Sequence, residues 1–158
     1  MCSRRSLAAI VLLRITPLAE TTAAMLEWRR YAIPATGLSV DVPISIFEED
    51  RVATEEGTPD RHLFTKDYRA NVTIKSFPNS DNHSPAVFLE KMRPPADIQY
   101  RRVTPKFFAV SGVLDGYTWY NRCNRANDFM NCVLLNYPAA EERQWDTIVT
   151  RISLSLAK

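Results

Sequence analysis

Large apolar and polar residues alternate along much of the chain, and this alternation predicts β-strands. Residues 38–42 and 71–74 show the period-two pattern of a strand that buries one face. The dipeptide Asp115-Gly116 between two such runs predicts a two-residue hairpin. The most apolar internal run, 107–113, is predicted to be a central strand. The predicted strands cover residues 28–33, 38–42, 62–65, 70–77, 98–103, 107–113, 117–123 and 129–137.

Two segments have helical spacing with matching end signals. Ser84 and Pro85 are suited to the cap and first turn of a helix, and Pro94-Pro95 ends it. A second helix is predicted after Pro138, with one apolar stripe that docks on the sheet. The stripe consists of Trp145, Ile148, Val149, Ile152 and Leu156. Strands joined by hairpins with few helices predict an α+β fold: a mainly antiparallel sheet with one mid-chain helix and a C-terminal amphipathic helix packed on it.

Residues 1–24 have the order of a secretory signal. Arg4 and Arg5 precede the apolar run 7–13, and small residues follow at 22–24. The prediction is therefore a signal peptide at 1–24 and a single domain at 25–158, in the periplasm or secreted, with no stable membrane insertion after cleavage. A translation start at Met25 would instead predict a cytoplasmic protein. An uncleaved, membrane-retained segment is a third possibility.

Composition excludes some classes of protein but does not identify an activity. The chain has 158 residues, and 46% of them are hydrophobic, as in ordinary globular domains. It carries 20 basic and 18 acidic residues. Residues 1–24 hold three of the basic and one of the acidic residues, so a chain that starts at Met25 has 17 of each and no net charge. This balance gives no electrostatic case for nucleic acid.

Cys123 and Cys132 are predicted to form a disulfide. A turn centred between Asn127 and Asp128 places these cysteines directly opposite each other on paired strands. The predicted export would favour the bond, because disulfides persist in oxidising compartments. The alternatives are a redox pair, which lacks the C-x-x-C spacing, and a zinc site, which would need both histidines away from any motif spacing.

Aromatic residues stand beside arginines on neighbouring predicted strands, a composition typical of binding surfaces. The predicted binding residues are Tyr100, Arg101, Trp119, Tyr120 and Arg122. Simple cross-strand pairing on one sheet face is the alternative interpretation.

Other chemistry is sparse. His62 and His83 are the only histidines, and a hydrolytic triad would need one of them beside a nucleophile and a carboxylate. The acidic stretch 48–50 with Glu55 and Glu56 lacks the ligand spacing of an EF-hand. The loop 51–61 that contains these two glutamates is polar and is predicted to lie at the surface. We therefore expect no metal site and no cofactor.

Several segments together resemble a group of small exported proteins of alphaproteobacteria such as rhizobia. The resemblance spans residues 28–156 and is carried by residues 100–103, 107–112, 115–116, 120–123, 137–138 and 145–149. It implies the PsbP-like α/β/α sandwich, whose known members are mostly non-enzymatic assembly or binding factors. No catalytic residues can be carried over from the group.

The sequence thus predicts a non-enzymatic exported binding or assembly-factor domain. Its partner would be an envelope protein or a small ligand. One alternative is a small hydrolase that uses His62 or His83 with nearby carboxylates. Another is a purely structural envelope component.

Overall fold

The computed structural model describes residues 25–50 and 60–157. The predicted signal peptide 1–24 and most of the predicted loop 51–61 lie outside the described residues. The strands are β1 (Trp28–Ile33), β2 (Leu38–Pro43), β3 (Phe47–Glu49), β4 (Arg61–Thr65), β5 (Asn71–Pro78), β6 (Ile98–Val103), β7 (Phe107–Leu114), β8 (Tyr117–Ala126) and β9 (Phe129–Pro138). The helices are α1 (Pro85–Met92) and α2 (Glu142–Ser155), with short 3₁₀ turns at Pro34–Thr36 and Ala139–Glu141.

Every strand pairing in the described residues is antiparallel, which confirms the predicted α+β class. β1 and β2 form a hairpin of their own, and the other strands form a seven-stranded sheet in the order β3-β4-β5-β9-β8-β7-β6. The apolar strand β7 lies next to the edge of this sheet, so its predicted central position is wrong, and β9 occupies the centre. β3 was not predicted, because three residues are too few to show an alternation.

The β8–β9 hairpin has the predicted register and is longer than predicted. Cys123 pairs with Cys132, and only Asn127 and Asp128 link the strands. Residues 124–126, which lie between the predicted strands 117–123 and 129–137, extend β8 instead. Asn127 has a φ of 49°, a left-handed conformation that asparagine tolerates better than most residues. The two cysteines form a disulfide, and their Cα atoms lie 4.1 Å apart.

Apolar side chains are buried on both faces of the large sheet. In β9, Val133 belongs to one buried cluster and its neighbour Cys132 to the other, as strand alternation requires. The first cluster joins β2, β5 and β9 to Val149 and Ile152 of α2. The second joins β7, β8 and β9 to Leu89 of α1.

The two predicted helices begin and end close to the expected residues. The hydroxyl of Ser84 accepts a hydrogen bond from the backbone N–H of Val87 at 3.4 Å, and α1 ends at Met92. In α2 the stripe residues Trp145, Val149 and Ile152 are buried. None of the helices in the described residues combines the length and apolar character needed to cross a membrane.

Candidate functional site

The register of β6, β7 and β8 brings a row of polar and aromatic residues onto the sheet face that α2 covers. Tyr100 pairs with Ser111, and Ser111 pairs with Tyr120. Two residues further along β6, Arg102 pairs with Ala109, and Ala109 pairs with Arg122. Paired residues project to the same face, so these two rows lie side by side.

Between this part of the sheet and α2 lies a cavity of about 470 Å³, which we call the Arg122 cavity. Its walls include Tyr100, Arg102, Phe107, Tyr120, Arg122 and Ser153. Tyr137, Glu142 and Asp146 line it as well. The volume falls within the range of small-ligand sites, roughly 300–1,000 Å³.

Arg122 is the most unusual residue of this cavity, because its side chain is charged and only 9% exposed. Nε donates to Oδ1 of Asn124 at 3.2 Å, and Nη1 donates to Oγ of Ser153 at 3.3 Å. The guanidinium carbon lies 4.3 Å from the centre of the Phe107 ring, in the geometry of a cation–π contact. These contacts are all with neutral groups.

In the part of the chain that the structure describes, neither Arg122 nor the adjacent Arg102 has an acidic partner. Across residues 25–50 and 60–157, no carboxylate oxygen lies within 4.0 Å of either guanidinium. Buried charges in proteins are usually paired, because removing an ion from water costs several kcal/mol. Within the described residues, the positive charge of Arg122 therefore has no carboxylate in contact with it, although Glu142 and Asp146 line other parts of the same cavity.

Neighbouring side chains hold Arg122 in place. Ser153 of α2 also contacts the hydroxyl of Tyr120, with 2.6 Å between the two oxygens. The amide of Asn124 donates to the carbonyl oxygens of Leu156 at 3.2 Å and Ala157 at 2.7 Å, just after α2. The end of α2 is thereby fixed to the strand that carries Arg122.

Two tyrosines of the cavity keep their protons well above neutral pH. Burial raises the pKa of Tyr120, although its hydrogen bond with Ser153 and the nearby Arg122 oppose the shift. Burial raises the pKa of Tyr137 to about 12, and the negative charges of Glu142 and Asp146 add to the shift. Near neutral pH both phenols are neutral.

The structure brings together three of the five predicted binding residues. Tyr100, Tyr120 and Arg122 line the Arg122 cavity. Trp119 is only 4% exposed and belongs to the buried cluster on the α1 face. Arg101 pairs with Val110 of that same cluster and therefore lies on the α1 face of β6. The predicted grouping of Trp119 and Arg101 with the other three is wrong, since neighbouring residues in a strand point to opposite faces.

Trp119 has a packing role. A Cβ atom added at Gly112, the residue paired with Trp119, would lie 2.8 Å from the indole ring and 2.6 Å from the carbonyl oxygen of Asp97. The ring therefore lies directly against the Gly112 backbone, and glycine is required there for lack of space.

Arg102, Phe107 and Ser153 line the cavity but are not among the predicted binding residues. Strand alternation could have found Arg102, because it is two residues from Tyr100 and so shares its face. Phe107 could have been found in the same way, two residues before Ala109. Ser153 comes from α2, and no local pattern predicts which helix residue meets Arg122.

The two histidines lie away from the Arg122 cavity and are not brought together. Nδ1 of His62, on β4, lies 3.2 Å from the hydroxyl of Thr73. His83 precedes α1, and its Nε2 lies 3.3 Å from a carboxylate oxygen of Asp81. Within the described ranges, no group of three or more histidine, cysteine, aspartate or glutamate side chains is placed to hold a metal ion.

Comparison with solved structures supports the predicted fold. The chain is similar to the solution structure of cyanobacterial PsbP (CyanoP) from Synechocystis sp. PCC 6803, with a TM-score of 0.60 and 7% sequence identity. The similarity covers 86% of this chain and 95% of that chain. The fold is therefore PsbP-like, as predicted. The chain matches no known family model and no curated protein.

Proposed function

We propose that this chain is a non-catalytic binding domain for small organic anions, with Arg122 as the residue that holds the anionic group. One observation carries the proposal: Arg122 is buried in the wall of a ligand-sized cavity and has no carboxylate partner in the described residues. An anion in the cavity would supply the missing charge. A guanidinium binds a carboxylate or phosphate through two parallel hydrogen bonds, which is one of the stronger polar contacts in proteins.

The surrounding side chains fit a ligand with an organic body. Tyr100, Phe107 and Tyr120 offer aromatic surface on the sheet side of the cavity. Tyr120 is neutral near pH 7 and has a hydroxyl suited to hydrogen bonding with an anion. The contacts of Arg122 with Asn124 and Ser153 hold the guanidinium before a ligand arrives, which lowers the entropy cost of binding.

We place this binding domain outside the cytoplasm, in the periplasm or secreted. The order of basic, apolar and small residues in 1–24 and the Cys123–Cys132 disulfide support this location. The intact mass of the protein from its native host tests it. A species that begins near Met25, with thiols alkylated only after reduction, is expected, and a full-length species with free thiols would contradict export.

Binding of benzoate tests the proposed site, because benzoate combines one carboxylate with one aromatic ring. Titration calorimetry would compare the natural chain with Arg122→Met and Arg101→Met. Arg101 is the control, since it is an arginine of the same sheet, on β6, that lies on the opposite face. Loss of a hydrogen-bonded charge contact of about 1.5–3 kcal/mol should weaken binding roughly 10- to 100-fold in Arg122→Met.

The expected result for Arg101→Met is an affinity within twofold of the natural chain. Equal affinity in the natural chain and Arg122→Met would show that the anion is held elsewhere. No binding of benzoate by the natural chain would remove the support for an organic anion as the ligand.

A further inference from the structure

Two carboxylates line the Arg122 cavity at a distance from Arg122. Glu142 and Asp146 contribute them from the first half of α2. Ser153, the residue of α2 that accepts a hydrogen bond from Arg122, follows Asp146 by seven residues. That separation keeps both residues on one face of the helix and places them about 10 Å apart along its axis. The cavity therefore has a cationic end at Arg122 and, at Glu142 and Asp146, what we call the acidic end.

The sheet places the two ends in the same order. Burial, and then the negative charges of Glu142 and Asp146, raise the pKa of Tyr137, so the acidic end lies near this residue. Tyr137 pairs with Thr118 near the start of β8. Arg122 is four residues further along that strand, a distance of about 13 Å. The strand and the helix thus agree that the two ends are separated by roughly the length of a small organic molecule.

Neither end of the cavity neutralises the other. In the ranges 25–50 and 60–157, no cationic nitrogen lies within 4.0 Å of the carboxylate of Glu142 or Asp146. The guanidinium groups of Arg102 and Arg122 likewise have no carboxylate within that distance in these ranges. One cavity thus has charges of both signs in its wall, and each sign lacks the ionic contact that the other could supply.

The helix dipole explains only part of the acidic end. Glu142 lies in the first turn of α2, where a negative charge is favoured by the unpaired N–H groups. Asp146 lies one turn further on, where this effect has fallen off. Both side chains are exposed, so an ammonium group can reach them from the open side of the cavity while Arg122 holds the anionic group more deeply.

We propose that the ligand is an organic zwitterion, with its carboxylate at Arg122 and an ammonium group at Glu142 and Asp146. This inference rests on the proposed function and narrows the class of ligand. An ammonium group has three N–H donors and can contact both carboxylates. A carboxylate and an ammonium group at opposite ends of one aromatic ring, with a hydrogen bond of about 3 Å at each end, match the separation of the two ends of the cavity.

Two compounds of nearly equal shape test the acidic end. 4-(Aminomethyl)benzoate carries an ammonium group where 4-ethylbenzoate carries a methyl group, and both have the same carboxylate and ring. Calorimetry at about 0.15 M salt, where distant charges are screened, would give both affinities for the natural chain and for Glu142→Gln/Asp146→Asn. The control Glu90→Gln/Asp128→Asn removes the same two charges from α1 and from the β8–β9 turn, and neither residue lines the cavity.

The natural chain should bind 4-(aminomethyl)benzoate at least fivefold more tightly than 4-ethylbenzoate, the gain expected from contacts with two exposed carboxylates. In Glu142→Gln/Asp146→Asn the ratio should fall to about one, while the affinity for 4-ethylbenzoate stays within twofold. The control should keep the ratio of the natural chain. Arg122→Met should weaken binding of both compounds, because both use the same carboxylate contact.

Two results would overturn the inference and leave the proposed function standing. In the first, both compounds bind through Arg122, but 4-ethylbenzoate binds at least as tightly as 4-(aminomethyl)benzoate. In the second, the preference for the ammonium compound persists in Glu142→Gln/Asp146→Asn, which would show that its ammonium group is held elsewhere. If the natural chain binds neither of these compounds nor benzoate, the proposed function and the inference both fail.

Discussion

Removal of the Cys123–Cys132 disulfide should destabilise the fold by an amount that depends on the length of the loop that the bond closes. The bond closes a loop across a sequence separation of nine residues. In the chain-entropy model, a loop of this length restricts the unfolded chain enough to contribute about 2.7 kcal/mol at 25 °C. Both cysteines are fully buried, so replacement by alanine also leaves small cavities in the cluster below α1.

The experiment compares unfolding in urea of Cys2→Ala, Cys2→Ala/Cys123→Ala and the triple variant that also contains Cys132→Ala. The first protein has only the two bonded cysteines, and the second has already lost the bond. We expect the second to lose about 3–4 kcal/mol relative to the first. The triple variant should lose only the further cost of one more cavity.

The result that would refute this reasoning is a loss below about 1 kcal/mol on breaking the bond. The β8–β9 hairpin would then remain closed in the unfolded ensemble without its disulfide, and the bond would have little chain entropy to remove. A second alanine that costs as much as the first would also contradict it, since the bond can be lost only once.

Four further substitutions test packing and turn chemistry, each by the free energy of unfolding. Gly112→Ala should cost about 1–3 kcal/mol, because the new methyl group meets the backbone oxygen of Asp97 at 2.6 Å; a neutral effect would show that the backbone at Asp97, just before β6, moves freely. Ile152→Ala, at a fully buried position of α2, should cost about 2–5 kcal/mol, whereas Leu154→Ala on the same helix should cost under about 0.5 kcal/mol, since Leu154 is 71% exposed. Hydrogen bonds from the hydroxyl of Thr65 and then from Arg69 lower the pKa of Asp67 below its usual value. A carboxyl group whose pKa is lower in the folded than in the unfolded protein stabilises the fold at pH values above its unfolded pKa of about 3.9. This stabilisation is lost as the pH falls through the folded pKa. Asp67→Asn should therefore lose less stability than the natural chain between pH 5 and about 2, and equal acid sensitivity would contradict this role of the turn.

Much of the sheet could be predicted because its signals are local. The Asn127-Asp128 turn and the opposed cysteines specify the β8–β9 register without any knowledge of the other strands. Asp115-Gly116 does the same for β7 and β8, and both its residues have positive φ, at 50° and 80°. Because consecutive strands in a hairpin pair with each other, these hairpins together give the antiparallel order from β9 to β6.

The order of the remaining strands depends on contacts that no local pattern contains. β5 pairs with β9 across more than fifty residues of chain, and this pairing moves β7 from the centre of the sheet toward its edge. β3 forms because β4 offers it a partner, and its three residues have no strand signature of their own.

The residues of the Arg122 cavity were only partly predictable for a related reason. Composition brought Trp119, Tyr120 and Arg122 together because they are close in sequence. The sheet separates Trp119 from the other two, because alternate residues face opposite layers. Within the residues that the structure describes, Arg122 has no acidic partner. This depends on how α2 crosses the sheet, and that crossing is a property of the packed fold alone.

The most direct test of the role of Arg122 is the free energy of unfolding of Arg122→Met, with and without benzoate. A buried charge without a charged partner costs stability, because the ion has been removed from water, and replacement by an apolar side chain of similar length removes that cost. We predict that Arg122→Met is at least as stable as the natural chain without benzoate. At a benzoate concentration ten times its dissociation constant for the natural chain, the natural chain should gain about 1.4 kcal/mol, and the variant should gain about 0.4 kcal/mol or less. A loss of about 3 kcal/mol in the variant, with an unchanged gain from benzoate, would contradict the central claim and make Arg122 a structural residue.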